Sequence, residues 1–175
     1  MFNKILKNVG IYGYLGFAVL AGLFIFGEIS LDTEFRVVAL IALGFTAALA
    51  VMMFLVLTRS PYAKLLIYSG AALIVLESIG SVVWAREWRE WTSFNGPILP
   101  ITAFVVSMVA AVWAFKQPKP ASVVMMVVSG APLVASVLQL GRMHLGGSTF
   151  ALSIPGVIAG IMIFMSQRPE TRSTV

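Results

Sequence analysis

The stretch that decides the fold lies at residues 64–91 and reads KLLIYSGAALIVLESIGSVVWAREWREW. From Leu65 to Ala85 its side chains are apolar, small or aromatic, with one acid, Glu77, well inside the run. A hydrocarbon core about 30 Å thick is crossed by about 20 apolar residues in an α-helix, so this run predicts a membrane span. After Ala85 charged residues alternate with tryptophan, a residue typical of the membrane–water interface.

The composition of the whole chain also indicates a membrane protein. Of its 175 residues, 59% are hydrophobic and 11% are charged, and the mean hydropathy is +0.97; soluble domains carry about 25% charged residues. The net charge of +5 does not predict nucleic-acid binding, because the basic residues stand singly or in pairs at the ends of apolar runs. The chain has no cysteine, so disulfides and thiolate metal sites are excluded, and its single histidine lacks a second ligand at metal-binding spacing. The sequence does not indicate whether the protein binds a cofactor.

Six apolar runs meet the length of a membrane span, at about 9–26, 37–58, 65–85, 97–115, 121–140 and 147–166. None shows the alternation of a membrane β-strand, so helices are the remaining way to satisfy the backbone in lipid. Short connections place sequence neighbours side by side in antiparallel order. We therefore predict one all-α domain over residues 1–175, a six-helix membrane bundle of three antiparallel hairpins. Its first run is expected to be kept as a signal anchor.

The basic residues predict the orientation of this bundle. Eight of them flank the side on which both termini fall, and four flank the other side. The eight are Lys4, Lys7, Arg59, Lys64, Lys116, Lys119, Arg168 and Arg172, and the four are Arg36, Arg86, Arg89 and Arg142. The positive-inside rule assigns the more basic side to the cytoplasm. Both termini are thus predicted to be cytoplasmic, in a cytoplasmic (inner) membrane of the prokaryotic kind.

Glu77 is the main candidate for a functional residue, because an acid inside a span is costly and usually faces the bundle interior. Gly80, Ser81 and Trp84 follow it on the same helical face. The fifth run carries a matching polar stripe, and one more polar side chain lies just beyond it; these residues are Ser129, Pro132, Ser136, Gln139, Arg142 and His144. If the third and fifth helices touch, Glu77 is expected to meet Gln139, with Arg142 or His144 next to them. Two interpretations stay open, a proton relay or polar-solute site and a buried acid that fixes helix packing.

Two further patterns point to interfaces. Trp84, Trp88 and Trp91 share one helical face, which fits either the ordinary aromatic belt of a membrane protein or a docking surface for a partner. Gly156 and Gly160 form a GxxxG motif, which lets helices approach closely. That motif serves equally well within one chain and between chains.

The sequence favours a non-catalytic function. It has no phosphate-binding glycine loop, no HExxH, no GxSxG and no CxxC motif. We expect a structural or accessory subunit that packs in the bilayer against a protein partner or another copy of itself. The alternative is a small-solute or proton-linked transporter or channel, which requires a polar cavity that reaches Glu77. A third hypothesis, a lipid-acting membrane enzyme, requires Glu77, Arg142 and His144 to converge on one pocket.

Overall fold

The computed structural model describes residues 2–32, 50–51, 53–58, 61–84, 98–138 and 147–167, and these residues are helical, with short turns at some helix ends and no β-strand. Five long helices are described within these ranges. They are α1 (Phe2–Asp32), α2 (Pro61–Val83), α3 (Ile98–Trp113), α4 (Pro118–Leu138) and α5 (Gly147–Met165). A further helical segment at residues 50–51 and 53–57 ends in a turn at Thr58.

Prolines mark where two of these helices begin. Pro61 opens α2 and Pro118 opens α4, and proline fits the first helical position because the amide hydrogen that it lacks would have no partner there. Pro132 and Pro155 lie inside α4 and α5 instead. At such positions proline removes one helical hydrogen bond and bends the helix, a change that neighbouring helices in a membrane bundle can accommodate.

Three of the described helices are long and apolar enough to cross a membrane, at Phe2–Phe24, Tyr62–Val83 and Pro118–Leu138. Two shorter apolar helical stretches lie at Ile101–Trp113 and Thr149–Met165. The apolar helices indicate a membrane-embedded bundle. Of the six predicted spans, the second lies mostly outside the described residues, and each of the other five overlaps one of the helices α1 to α5.

The helix bounds differ from the predicted spans most at α1, which extends past the predicted span at both ends, and at the basic start of α2. The helix α1 begins at Phe2, and α2 begins at Pro61 rather than at Leu65. Hydropathy detects only the apolar part of a helix. The residues around Lys4 and Lys7 include no helix-breaking proline, so the helix continues through them.

The helices pack as neighbours in sequence and also across the bundle. The closest pair is α4 with α5, and α2 with α3 and α3 with α4 are also neighbours. Beyond this hairpin order, α1 packs on α5 and α3, and α2 packs on α4. Tightly buried apolar side chains from all five helices and from the segment before Thr58 form one core, which includes Ile11, Val56, Ile67, Leu99, Met125 and Ile163.

The contacts between helices fix their directions. The backbone of α1 at Gly10 approaches Ile163 of α5, whereas Tyr14 approaches Gly156, so α1 and α5 are antiparallel. Gly70 approaches Val106 near one end of α2 and α3, and Glu77 meets Thr102 further along. With the tight turn between α3 and α4, these directions bring every lysine of the chain to one end of the bundle: Lys4, Lys7, Lys64, Lys116 and Lys119. Lys116 also donates a hydrogen bond to the carbonyl of Leu57 there.

Candidate functional site

Glu77 makes one hydrogen bond to the part of the chain that the structure describes. The Thr102 hydroxyl of α3 lies 3.4 Å from Glu77 Oε2 and donates to it, and the same hydroxyl lies 3.0 Å from the Leu99 carbonyl within its own helix. A carboxylate has about four lone-pair sites for hydrogen-bond donors. A single long contact leaves most of that capacity unused.

Glu77 lies at the boundary between the buried side and the exposed side of α2. Ile74, Ser78 and Ser81 on one side of it are buried in the bundle, whereas Leu73 and Leu76 on the other side are exposed. Glu77 itself is half-buried. Its carboxylate therefore stands at the flank of the α2–α3 pair rather than at the centre of the bundle.

Ser81, which shares a predicted stripe with Glu77, is fully buried. Its hydroxyl donates to the Ser78 carbonyl at 2.8 Å, and the Ser78 hydroxyl donates to the Ile74 carbonyl at 2.7 Å. Hydroxyls that return to their own helix in this way are satisfied without a polar cavity. The buried side of the stripe is thus a packing surface as the structure describes it.

The helices α2 and α4 do touch, but their contact is apolar. A groove of about 350 Å³ runs between them, and Glu77 is not among its lining residues. The groove is lined by Val75, Ser78, Ile79, Val82, Val83, Ala131, Val134, Ala135 and Leu138. It does not supply the polar cavity at Glu77 that the transport hypothesis requires.

The polar stripe of α4 faces a different helix from the one expected. Ser129 and Ser136 are buried, as an inward-facing stripe predicts. Ser129 contacts α3 and α5, however, and the α2–α4 groove involves a separate face of α4. Gln139, Arg142 and His144 lie outside the described residues, so their predicted meeting with Glu77 stays a prediction.

Three helices bring hydroxyl groups together at the middle of the bundle. Ser107 of α3 and Ser129 of α4 share a hydrogen bond of 2.9 Å, and both residues are buried. The phenol of Tyr14 from α1 lies beside Ser107 without meeting the geometry of a hydrogen bond. A methyl group on Gly156 of α5 would lie 2.9 Å from Ser129 Cβ and 3.5 Å from Tyr14 Cε2. Only a glycine leaves room for this four-helix contact.

The two glycines of the GxxxG motif face α4 of the same chain. A methyl group on Gly160 would lie 2.7 Å from Met126 Cγ and 3.1 Å from the Ser122 carbonyl oxygen. Both glycines are buried. Gly156 and Gly160, predicted as a candidate interface, therefore provide close packing inside the chain.

Hydroxyl groups continue along this α4–α5 contact. Thr149 and Ser153 precede Gly156 on the same face of α5, and Ser136 follows Ser129 on the same face of α4. Because α4 and α5 are antiparallel and Gly156 lies opposite Ser129, Thr149 lies at the same level along the contact as Ser136. Among the described residues, the buried hydroxyls of Ser136, Thr149 and Ser153 have no hydrogen-bond partner.

The tryptophan face is described only at its first residue. Trp84 stands in the turn that ends α2, where its amide donates to the Gly80 carbonyl at 2.9 Å, and its side chain is 61% exposed. Exposure at a helix end suits both an aromatic belt and a docking surface. Trp88 and Trp91 lie outside the described residues.

Sequence reasoning missed Thr102, Ser107 and Tyr14. The sequence did contain a signal for Thr102 and Ser107. Both are polar residues in the fourth apolar run, and the short connections predict that this run packs beside the third and the fifth. Tyr14 carried no such signal, because it meets Ser107 and Gly156 through packing between distant parts of the chain. Among the described residues, no group of three His, Asp or Glu side chains stands close enough to hold a metal ion.

Comparisons with protein-family models, with curated proteins and with solved structures found no match to this chain. The functional argument therefore depends on the geometry of the chain itself.

Proposed function

We propose that this chain is a non-catalytic, multi-pass membrane protein that serves as an accessory subunit of a larger membrane assembly. In this proposal Glu77 is the contact point for a transmembrane helix of the partner protein. The single observation that carries the proposal is the position of Glu77, half-buried at the flank of α2 and α3, where the Thr102 hydroxyl is its one partner among the described residues.

The energetic argument starts from the cost of an acid in lipid. Placing a carboxylate near the centre of a span costs about 2.5 kcal/mol or more, and such groups are normally paired with another polar side chain or lie in water. The Thr102 contact, at 3.4 Å, offsets only part of this cost. A lysine or arginine in a partner helix, lying along the α2–α3 flank, would neutralise the charge and fill the remaining lone-pair positions.

The topology of the proposal has six spans with both termini in the cytoplasm of a cell with an inner membrane. Two features support this orientation. The lysines share one end of the bundle, and the basic residues of the full sequence favour the same side.

The test is purification from native membranes in mild detergent, with mass spectrometry of the proteins that accompany the chain. Three forms are compared: wild type, Glu77→Gln and Val127→Gln. The control residue Val127 is an exposed apolar residue of α4, so the control adds the same polar group on another face. We expect a foreign membrane protein at a fixed ratio to the chain in wild type and in Val127→Gln, and at least a tenfold loss of it in Glu77→Gln.

The partner must also meet a chemical criterion. It should carry a lysine or arginine within a transmembrane segment, and replacement of that residue by leucine should cause the same loss. Recovery of wild type as a monomer or a homo-oligomer without a foreign subunit would refute the proposal.

The second candidate is a small-solute or proton-linked transporter or channel with Glu77 as the ionisable group. The observation that favours it is the Thr102 hydrogen bond, because a hydroxyl beside an acid on a neighbouring helix is one step of a polar path. In reconstituted vesicles this candidate predicts flux for wild type and none for Glu77→Gln. The groove between α2 and α4 does not support it, since its lining is apolar and does not include Glu77.

A further inference from the structure

The end of the bundle that carries the lysines is a positively charged surface, and we call it the lysine end. Lys4, Lys64 and Lys119 are exposed in the first turns of α1, α2 and α4. Lys116 is exposed in the turn between α3 and α4, and Lys7 is partly exposed one turn into α1 from Lys4. Four separate parts of the fold thus contribute positive charge to one surface.

Among the described residues, no acid lies at the lysine end. Glu28 and Asp32 lie in the last two turns of α1, at the opposite end of the bundle. Glu77 follows Lys64 by 13 residues on α2, a distance of about 20 Å along the helix axis. The stretches that adjoin the lysine end in sequence and lie outside the described residues hold more bases than acids: Arg59, Arg168 and Arg172 against Glu170.

Exposed aromatic rings lie just inside the lysines. Tyr12 follows Lys7 by five residues, and Tyr68 follows Lys64 by four, so both rings stand about 6–8 Å deeper along their helices. Tyr12 is 61% exposed and Tyr68 is 48% exposed. Each ring packs on an aromatic ring at or just after the end of α3, with centroids 5.4 and 5.8 Å apart. Tyrosine in such a layer is typical of the membrane–water interface.

The length of α2 places the lysines at the level of the lipid phosphates. Trp84, which is exposed where α2 ends, follows Lys64 by 20 residues. This separation is about 30 Å along the helix, equal to the thickness of the hydrocarbon core. With Trp84 at one interface, as is usual for tryptophan, Lys64 lies at the other interface beside the headgroups.

These two layers fit an anionic phospholipid. A lysine ammonium is a point charge that binds phosphate well, and clusters of basic residues next to membrane spans attract anionic headgroups. The aromatic rings below the lysines suit the glycerol and upper acyl chains of the same lipid molecule. A soluble acidic protein would contact the lysines and leave the rings below them unused.

We propose that the lysine end binds anionic phospholipids in preference to neutral ones, with the lysines at the phosphates and with Tyr12 and Tyr68 beside the glycerol. This inference does not depend on a protein partner, on Glu77 or on which side of the membrane is cytoplasmic.

The test measures the melting temperature of the purified chain in a mild uncharged detergent. Phosphatidylglycerol, phosphatidylcholine or inorganic phosphate is added in increasing amounts. The variant combines Lys4→Gln, Lys64→Gln and Lys119→Gln, and its matched control replaces the same three lysines by arginine, which keeps the charge. Lys116 stays unchanged because it donates a hydrogen bond to the Leu57 carbonyl.

We expect phosphatidylglycerol to raise the melting temperature of the wild type more than phosphatidylcholine or phosphate does, because a ligand that binds the folded state stabilises it. Each lysine near an anionic surface contributes about fivefold in affinity. The glutamine variant should therefore need at least tenfold more phosphatidylglycerol for the same rise, and the arginine control should match the wild type.

Three results would overturn the proposal. An equal rise with phosphatidylcholine would show that headgroup charge does not matter. An equal rise with inorganic phosphate would indicate a site for a free anion. An unchanged requirement for phosphatidylglycerol in the glutamine variant would place the lipid elsewhere on the protein.

A second measurement needs only the wild type and covers a glutamine variant that fails to fold. Raising the salt from about 0.1 M to about 1 M shortens the screening length from about 10 Å to about 3 Å. The difference between the effects of phosphatidylglycerol and phosphatidylcholine should then shrink by at least half. A difference that does not change with salt would contradict binding through the lysine charges.

Discussion

Ser129 Cβ would stand 2.9 Å from a methyl group placed on Gly156, so these two residues set the distance between α4 and α5. The absence of a side chain at Gly156 lets the Ser129 side chain lie directly against the α5 backbone. The Ser129 hydroxyl then reaches Ser107 on α3. One glycine thus determines both the close approach of α4 to α5 and the position of the hydroxyl cluster.

The substitution Gly156→Ala is expected to destabilise the bundle. Insertion of a methyl group into a closely packed contact typically costs about 1–3 kcal/mol. The control is Gly16→Ala, because a methyl group on Gly16 would have no atom within 4 Å. Thermal unfolding in detergent should show a lower melting temperature for Gly156→Ala and an equal or higher one for Gly16→Ala, since alanine favours the helix.

The same contact can be tested by removing the serine side chain that faces Gly156. Adding Ser129→Gly to Gly156→Ala removes the serine side chain against which the new methyl group would press. We expect the double variant to recover part of the stability lost by Gly156→Ala alone, as measured by thermal unfolding. A double variant less stable than the sum of the two single changes would contradict the assigned contact.

The hydrogen bond between Ser107 and Ser129 is expected to make a small, measurable contribution. Hydrogen bonds between helices in membrane proteins average about 0.6 kcal/mol. A double-mutant cycle with Ser107→Ala and Ser129→Ala, followed by equilibrium unfolding, should give a coupling energy of about that size. A coupling energy of zero would mean that the two hydroxyls do not bond in the folded protein.

Thr102→Val tests how much the hydroxyl of α3 contributes at Glu77. The substitution keeps the shape of the side chain and removes the hydrogen bond from the Thr102 hydroxyl to the carboxylate. In the native co-purification, we expect Thr102→Val to retain more of the partner than Glu77→Gln, because the acid itself makes the proposed contact. An equal loss in both variants would show that Thr102 orients the acid and that binding depends on this orientation.

The orientation of the bundle can be measured with single cysteines at its two ends. Trp84→Cys and Lys119→Cys both replace exposed side chains, and they stand at opposite ends of the bundle. A maleimide that does not cross membranes should label Trp84→Cys in intact cells and should label Lys119→Cys only after the cells are opened. The reverse pattern would contradict the proposed cytoplasmic position of the lysines.

The sequence by itself determined the all-helical class of the described residues and the position of their helices. The reason is local: apolar runs of about 20 residues, bounded by prolines and basic residues, have helix as their only stable form in lipid. It also indicated the inward stripe of Ser129 and Ser136, since residues three or four positions apart share one helical face.

Only the tertiary structure decided which faces meet. Periodicity shows that Ser129 and Ser136 face inward, but it does not show whether they face α2 or α5. That choice depends on how closely two helix surfaces fit, and Gly156 and Gly160 allow α5 to lie directly against Ser129 and Met126 of α4. In the same way, the packing of α2 against α3 brings Thr102 to Glu77. Such pairings arise from the sum of many contacts between helices distant in sequence, and no local pattern encodes that sum.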